Sequence, residues 1–151
     1  MSKKQFVVFT VNSEEFGINI DRINSIERMM EIFKVPNTPD YIEGLVNLRG
    51  KVHTVFNLRK RFGLPCPAFD DNTKIIMINE ADSIVGIIVD EVKKIIKADD
   101  SEFEDAPKAL SNLRDQFLSG TVKTDGGVIM LLDADRVLTV NADKQKQAVQ
   151  Q

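Results

Sequence analysis

The chain has 151 residues, 42% of them hydrophobic, with twenty Lys or Arg against twenty-three Asp or Glu. That length and apolar content suit one domain or two small, mutually supporting ones, and no apolar run approaches the roughly 20 residues of a membrane-spanning helix. The net charge of −3 is unevenly spread: residues 1–67 hold ten basic and seven acidic side chains, residues 68–151 ten and sixteen, so the halves offer different faces to partners. Lys3-Lys4 is not followed by a secretory apolar region. The single cysteine, Cys66, lies between Pro65 and Pro67, which rules out an internal disulfide and points to an intracellular, cytoplasmic home.

Residues 5–11 and 15–20 are short β-branched and aromatic runs around Asn12-Ser13-Glu14, a hairpin pattern. Asp21 offers an N-cap, and Ile20, Ile23 and Ile26 recur at helical spacing, predicting a turn or two of helix before the chain straightens through 32–35. Pro36-Asn37-Thr38-Pro39-Asp40 is a rigid corner, because a residue before proline is pushed to extended geometry. Residues 45–48 and 51–56 read as strands around a tight turn in which Gly50 takes positive φ and Arg49 stands at the tip. Asn57 can cap residues 58–62, with Gly63 and Pro65 ending that stretch.

Residues 74–79 and 83–89 form the next strand pair, and 90–97 repeats the segment that starts at Asp21. After an acidic stretch at 98–105, Pro107, Leu110, Leu113 and Phe117 fit a short amphipathic helix stopped by Gly120. Residues 121–124 and 128–132 flank Asp125-Gly126-Gly127, where Asp-Gly suits the positive φ values of a primed turn. Asp133 caps a brief helix to Leu138, and 141–151 reads as a frayed or disordered tail.

The two halves repeat one another. At an offset of 69, Phe6-Val7-Val8-Phe9 answers Ile75-Ile76-Met77-Ile78, Gly17 answers Gly86, Asp21 answers Asp90 and Ile26 answers Ile95. At an offset of 76, Gly44, Gly50, Val55 and Asn57 answer Gly120, Gly126, Leu131 and Asp133. Blocks matched in one order indicate a duplicated β-rich module, which suits a docking surface better than a catalytic cleft. Catalytic equipment is sparse: His53 is the only histidine and has no evident partner, and Asp99, Asp100, Glu102, Glu104 and Asp105 lack cation-loop spacing. No glycine-rich phosphate loop occurs, so no enzyme, metal or cofactor is expected. The basic residues Arg49, Lys51, Arg59, Lys60 and Arg61 lack interleaved aromatics and sit in an acidic protein, which argues against nucleic acid.

Asn37-Thr-Pro-Asp-Tyr-Ile-Glu-Gly44-Leu-Val-Asn-Leu-Arg-Gly50, then Asn57-Leu-Arg59, Gly86-Ile-Ile-Val-Asp90 and Leu131-Leu-Asp133 together resemble the CheW-like coupling proteins of bacterial chemotaxis. The resemblance covers about residues 5–140, and the Gly-x-x-Asn-Leu-Arg-Gly block is its specific part. It implies a mainly β fold of two five-stranded SH3-like barrels packed together with short helices, the first module at about 5–67 and the second at about 68–140, with end segments able to pair across them. It implies a non-enzymatic adaptor, without cofactor or nucleic acid, joining a methyl-accepting chemoreceptor cytoplasmic tip to the regulatory domain of the chemotaxis histidine kinase, and reaching the membrane only through partners. By the same resemblance Asn47, Arg49, Gly50, Gly86, Val92 and Ile95 are receptor-binding, and Ile23, Ile26 and Gly44 kinase-binding. Thr54, Asn57 and Ser25 depart from the family pattern. Because Ser25 stands where a carboxylate can partner the arginine, Glu27 or Glu43 is left to pair with Arg49.

Overall fold

The computed structural model describes residues 3–106 and 112–140. The first hairpin forms as the β-branched runs require, β1 (Lys4–Val11) and β2 (Glu14–Asn19) turning at Asn12 and Ser13, whose φ values are 54° and 67°. A 3₁₀ turn, Ile20–Arg22, follows, capped by Asn19 and not by Asp21, and the chain then runs straight into β3 (Ile23–Arg28). The expected helical turn is therefore replaced by a strand. Three-residue spacing puts Ile23 and Ile26 on opposite faces of β3, one half-buried and one exposed. The corresponding segment after Asp90 is likewise a strand.

β4 (Ile42–Leu48) and β5 (Lys51–Asn57) flank the Arg49-Gly50 turn, and Asn57 caps α1 (Leu58–Arg61) by accepting the Lys60 N–H. The second half contributes β6 (Lys74–Glu80), β7 (Ser83–Val89), β8 (Glu91–Ala98), a 3₁₀ turn at Asp100–Glu102 and β9 (Phe103–Asp105). It ends with β10 (Leu118–Thr124), β11 (Gly127–Leu132) and α2 (Ala134–Leu138), the last capped by Asp133. Of the helix expected between Pro107 and Phe117, the described part is a five-residue 3₁₀ turn, Leu113–Phe117. Gly120 does not stop it: β10 passes through Gly120, where a Cβ would lie 2.6 Å from the Glu104 carbonyl oxygen on β9. At the last hairpin the positive φ falls on Gly127, at 143°, and not on Asp125-Gly126, so no primed turn forms. The tail expected at 141–151 lies outside the described residues.

Two sheets result, and each draws on both halves of the sequence. The order is β8-β1-β2-β11-β10-β9 in one and β3-β6-β7-β5-β4 in the other. One sheet thus has six strands where five were expected, through the three-residue β9. The hairpin β1–β2 leaves its own half to lie between β8 and β11, while β6–β7 lies between β3 and β5. Both hairpins join their hosts through a short parallel contact: Gly17 opposes Leu131, and Gly86 opposes Val55. These pairs are the ones that the offsets of 69 and 76 equate, so the repeat in sequence is also a repeat of strand pairing.

Both sheets curl. Phe6 on β1 meets Phe103 on β9 edge-on at 5.7 Å, although three strands separate β1 from β9 in the sheet. In the other, the Phe33–Leu45 bridge brings the chain after β3 back against β4. Each curled sheet encloses a small core, Phe6, Val8, Val122 and Ile129 in one and Val46, Val55, Ile75 and Met77 in the other. The alternate residues of the same strands, including Phe9, Phe16, Ile76, Ile78 and Ile87, turn to a larger shared core between the sheets. Strands buried on both faces read as unbroken apolar runs, which is why 75–78 and 84–89 show no alternation.

Candidate docking surfaces

Arg49 stands exposed at the tip of the β4–β5 hairpin, between the exposed Asn47 and Gly50. It has φ 53° and Gly50 has φ 83°, consecutive left-handed residues that match the twist of a two-residue hairpin. The Gly50 N–H donates to Asn47 Oδ1 at 3.1 Å, closing the turn from inside. The Arg49 side chain is 73% exposed, and its Nη2 lies 3.8 Å from Glu27 Oε2 on β3. Glu27 is therefore the nearby carboxylate, whereas Glu43 is engaged by Lys60 at 3.3 Å and by Asn57 Nδ2 at 3.1 Å. Ser25 cannot take that part, and its buried hydroxyl has no hydrogen-bond partner among the described residues. Asn47, Arg49 and Gly50 thus form one tip, with Arg49 facing Glu27 on β3.

Beside the tip the five-stranded sheet opens. β5 pairs with β7 only from Val55 onward, so its first residues part from the β6–β7 turn and leave a groove of about 540 Å³ lined by Val52, His53, Ser83 and Ile84. Val52 is 62% exposed there. The His53 ring sits 3.1 Å from the Ile84 carbonyl oxygen, a bond that spans the gap between the strands. Sequence reasoning missed Val52, because alternation along β5 does not reveal where its pairing with β7 begins.

The remaining candidates divide between the sheets. Gly86 is buried in mid-strand, where a Cβ would meet Ile75 Cγ2 at 2.8 Å and the Met77 sulfur at 3.0 Å, so it is a packing residue with no surface to offer. Gly44 is also buried, with φ 149° and the Phe33 carbonyl oxygen 2.3 Å from where a Cβ would stand. These two glycines therefore act on the surface only through the strands they allow to approach. Ile23 packs on the shared core, while Ile26 is exposed on β3. On β8, Val92 is half-buried and Ile95 is 56% exposed. Ile26 and Ile95 are repeat-equivalent, and each stands on an edge strand of its sheet. Phe33, 53% exposed beside β4, is a further apolar surface residue.

The basic cluster at 49–61 is dispersed by the fold. Arg59 forms a two-pronged pair with Asp90, at 2.9 and 2.6 Å, and this hydrogen bond is the main reason its guanidinium is held more firmly protonated. Arg61 lies over the rings of Tyr41 and Phe117, at 4.1 and 4.8 Å, and donates to the carbonyls of Arg136, Val137 and Thr139 at the end of α2. With Lys60 on Glu43, three of the five cations serve internal contacts. Cys66 accepts from Asn57 Nδ2 at 3.2 Å in a loop pocket. Among the described residues no group of three or more metal-ligating side chains assembles, and no helix is long and apolar enough to cross a membrane.

Comparison with known proteins agrees with this architecture. Residues 5–142 match the CheW-like domain family. The chain is 38% identical over 135 residues to "Chemotaxis protein CheW" of Bacillus subtilis, covering 89% of this chain and 86% of that one. It is 30% identical to the protein of the same name from Klebsiella aerogenes, with 90% and 82% covered. The crystal structure of the scaffolding protein TtCheW from Thermoanaerobacter tengcongensis superposes with a TM-score of 0.84 at 32% identity, covering 93% of this chain and 91% of that one. With two cross-paired β sheets and a family match over residues 5–142, this chain belongs to the CheW-like family of chemotaxis scaffold proteins, which are not enzymes.

Proposed function

We propose that this protein couples a methyl-accepting chemoreceptor to the chemotaxis histidine kinase in the cytoplasm, the tip around Arg49 engaging the receptor's cytoplasmic end and the exposed side of β3 engaging the kinase regulatory domain. The observation that carries the reading is the Arg49 tip: a cation held out in a left-handed turn, closed by Asn47 and 3.8 Å from the Glu27 carboxylate. A receptor tip is a helical hairpin, and one of its faces can lie in the groove beside Val52 while Arg49 exchanges Glu27 for a receptor carboxylate. Val92 and Ile95 on β8 are the receptor candidates of the other sheet. Ile26, exposed on the five-stranded sheet, is the apolar residue offered to the kinase, with Ile23 and Gly44 shaping the strands around it.

The test is a pull-down with a receptor cytoplasmic fragment and a chemotaxis kinase from the same cell, using the wild type, Arg49→Glu and Ile26→Glu. Arg49→Glu is expected to lose receptor binding tenfold or more while keeping kinase binding, because a rim charge governs encounter and specificity. Its stability should change by no more than about 1 kcal/mol, since the pair it breaks is exposed. Ile26→Glu is expected to do the reverse. Wild-type protein that captures neither partner would sink the proposal, and Arg49→Glu that unfolds would show the residue to be structural.

A further inference from the structure

We infer that this chain can pair with a second copy of itself by exchanging halves, residues 3–63 of one copy building both sheets with residues 74–140 of the other. The topology carries the inference. β1 and β2 pair with β8 and β11, and β6 and β7 pair with β3 and β5, so in both sheets hydrogen-bonded neighbours come from opposite sides of the segment 64–73. The polar ties follow the same rule: Arg59 to Asp90, Arg22 to Asp135 at 2.8 Å, and Arg61 to the end of α2. A second chain offers the same partners. Every one of these contacts can form between two copies as well as within one, and only the path of the connecting segment changes.

That segment is built as a hinge. Residues 67–72 are all exposed, and the stretch carries Pro65 and Pro67. Its ties lie at its two ends: at one, Leu64 packs on the shared core and donates its N–H to the Arg59 carbonyl, Arg59 Nη1 reaches the Pro65 carbonyl at 3.0 Å and Asn57 reaches Cys66; at the other, Lys74 Nζ donates to the carbonyls of Asp71 and Asn72. Whether halves close within a chain or between chains is then set by the connection and by protein concentration. Exchange cannot happen by collision of native molecules, because separating the halves breaks both sheets. It belongs to folding. An exchanged dimer would present two Arg49 tips and two β8 edges; that last consequence for coupling rests on the function proposed above, while the exchange itself does not.

The experiment refolds the full chain, carrying a protease site inserted between Ala68 and Phe69, from denaturant at micromolar and at near-millimolar concentration. Mass is read by light scattering on a sizing column, before and after cleavage. The expected result is a dimer of twice the 17.0 kDa chain that grows at least tenfold in proportion at the higher concentration. Cleavage should convert it to particles of monomer mass, each holding one half from each copy. A dimer that keeps its mass after cleavage would overturn the inference, because chains joined face to face do not depend on the hinge. Monomer alone at both concentrations would overturn it too. Failure of the receptor and kinase pull-downs would leave this outcome untouched.

Discussion

At the scale of single residues, the glycines separate surface roles from internal ones. Gly50 has open space where a Cβ would stand and earns its place by its φ of 83°, whereas Gly44 is hemmed by backbone at 2.3 Å. Gly44→Asp is therefore expected to break the Phe33–Leu45 bridge and destabilise the protein by about 2 to 3 kcal/mol, measured by urea unfolding. The family resemblance alone would have suggested a selective loss of kinase docking. A Gly44→Asp variant with unchanged stability would restore that view. The Asn-Leu-Arg-Gly turn was legible in the sequence because turn chemistry is local. The burial of Gly86 was not, since the side chains that fill its missing Cβ come from β5 and β6, one about thirty residues away in the chain.

Elements show what short-range patterns can and cannot decide. The caps at Asn57 and Asp133 were readable because an N-cap is chosen within three residues. The isoleucines at 20, 23 and 26 fit a helical period, yet β3 wins because β6 supplies a row of hydrogen-bond partners that local periodicity does not register. Between the short helices, Arg61 acts as a shared cap for α2 and as a wedge between Tyr41 and Phe117, residues that the offset of 76 makes equivalent. Arg61→Met keeps the stem and loses the donors, so it should cost about 2 to 3 kcal/mol and lower the melting temperature. An unaltered melt would mean that α2 is held by its apolar face alone. The turn at Asp100–Glu102 has its own pH signature. The Ser101 hydroxyl is the main influence holding the Asp99 carboxyl below its usual 3.8. A carboxyl depressed by folding contributes fully above that value and loses its contribution as pH falls through the folded one. The protection of the Ser101 amide, which donates to the Asp99 carboxylate, taken relative to its intrinsic exchange rate, should therefore fall only below about pH 4, and a transition near neutrality would contradict the assignment.

For the molecule as a whole, the duplicated pattern was visible in the sequence, and so was the mainly β class. The cross-pairing was signalled only by the family resemblance, as end segments able to pair across modules, because which hairpin joins which sheet is fixed by long-range complementarity between surfaces that the repeat makes alike. Two modules with similar apolar faces look interchangeable until the chain connections decide. One consequence is mechanical unity. Since every inner strand but β10 neighbours one from the other half, the amides of Ile18 in the six-stranded sheet and Ile87 in the five-stranded sheet should exchange through the same opening, with matching protection within about 1 kcal/mol. Sheets that open separately under mild denaturant would disprove it. A second consequence reaches back to the ribosome. Phe16 meets Met130 in the finished sheet, so at ordinary elongation rates of about 5–20 residues per second the first hairpin waits on the order of ten seconds for the strand that covers it. During that interval its apolar edge belongs to whatever else is nearby. A protein whose halves complete each other's sheets carries, for the length of its own translation, a strand edge without its partner.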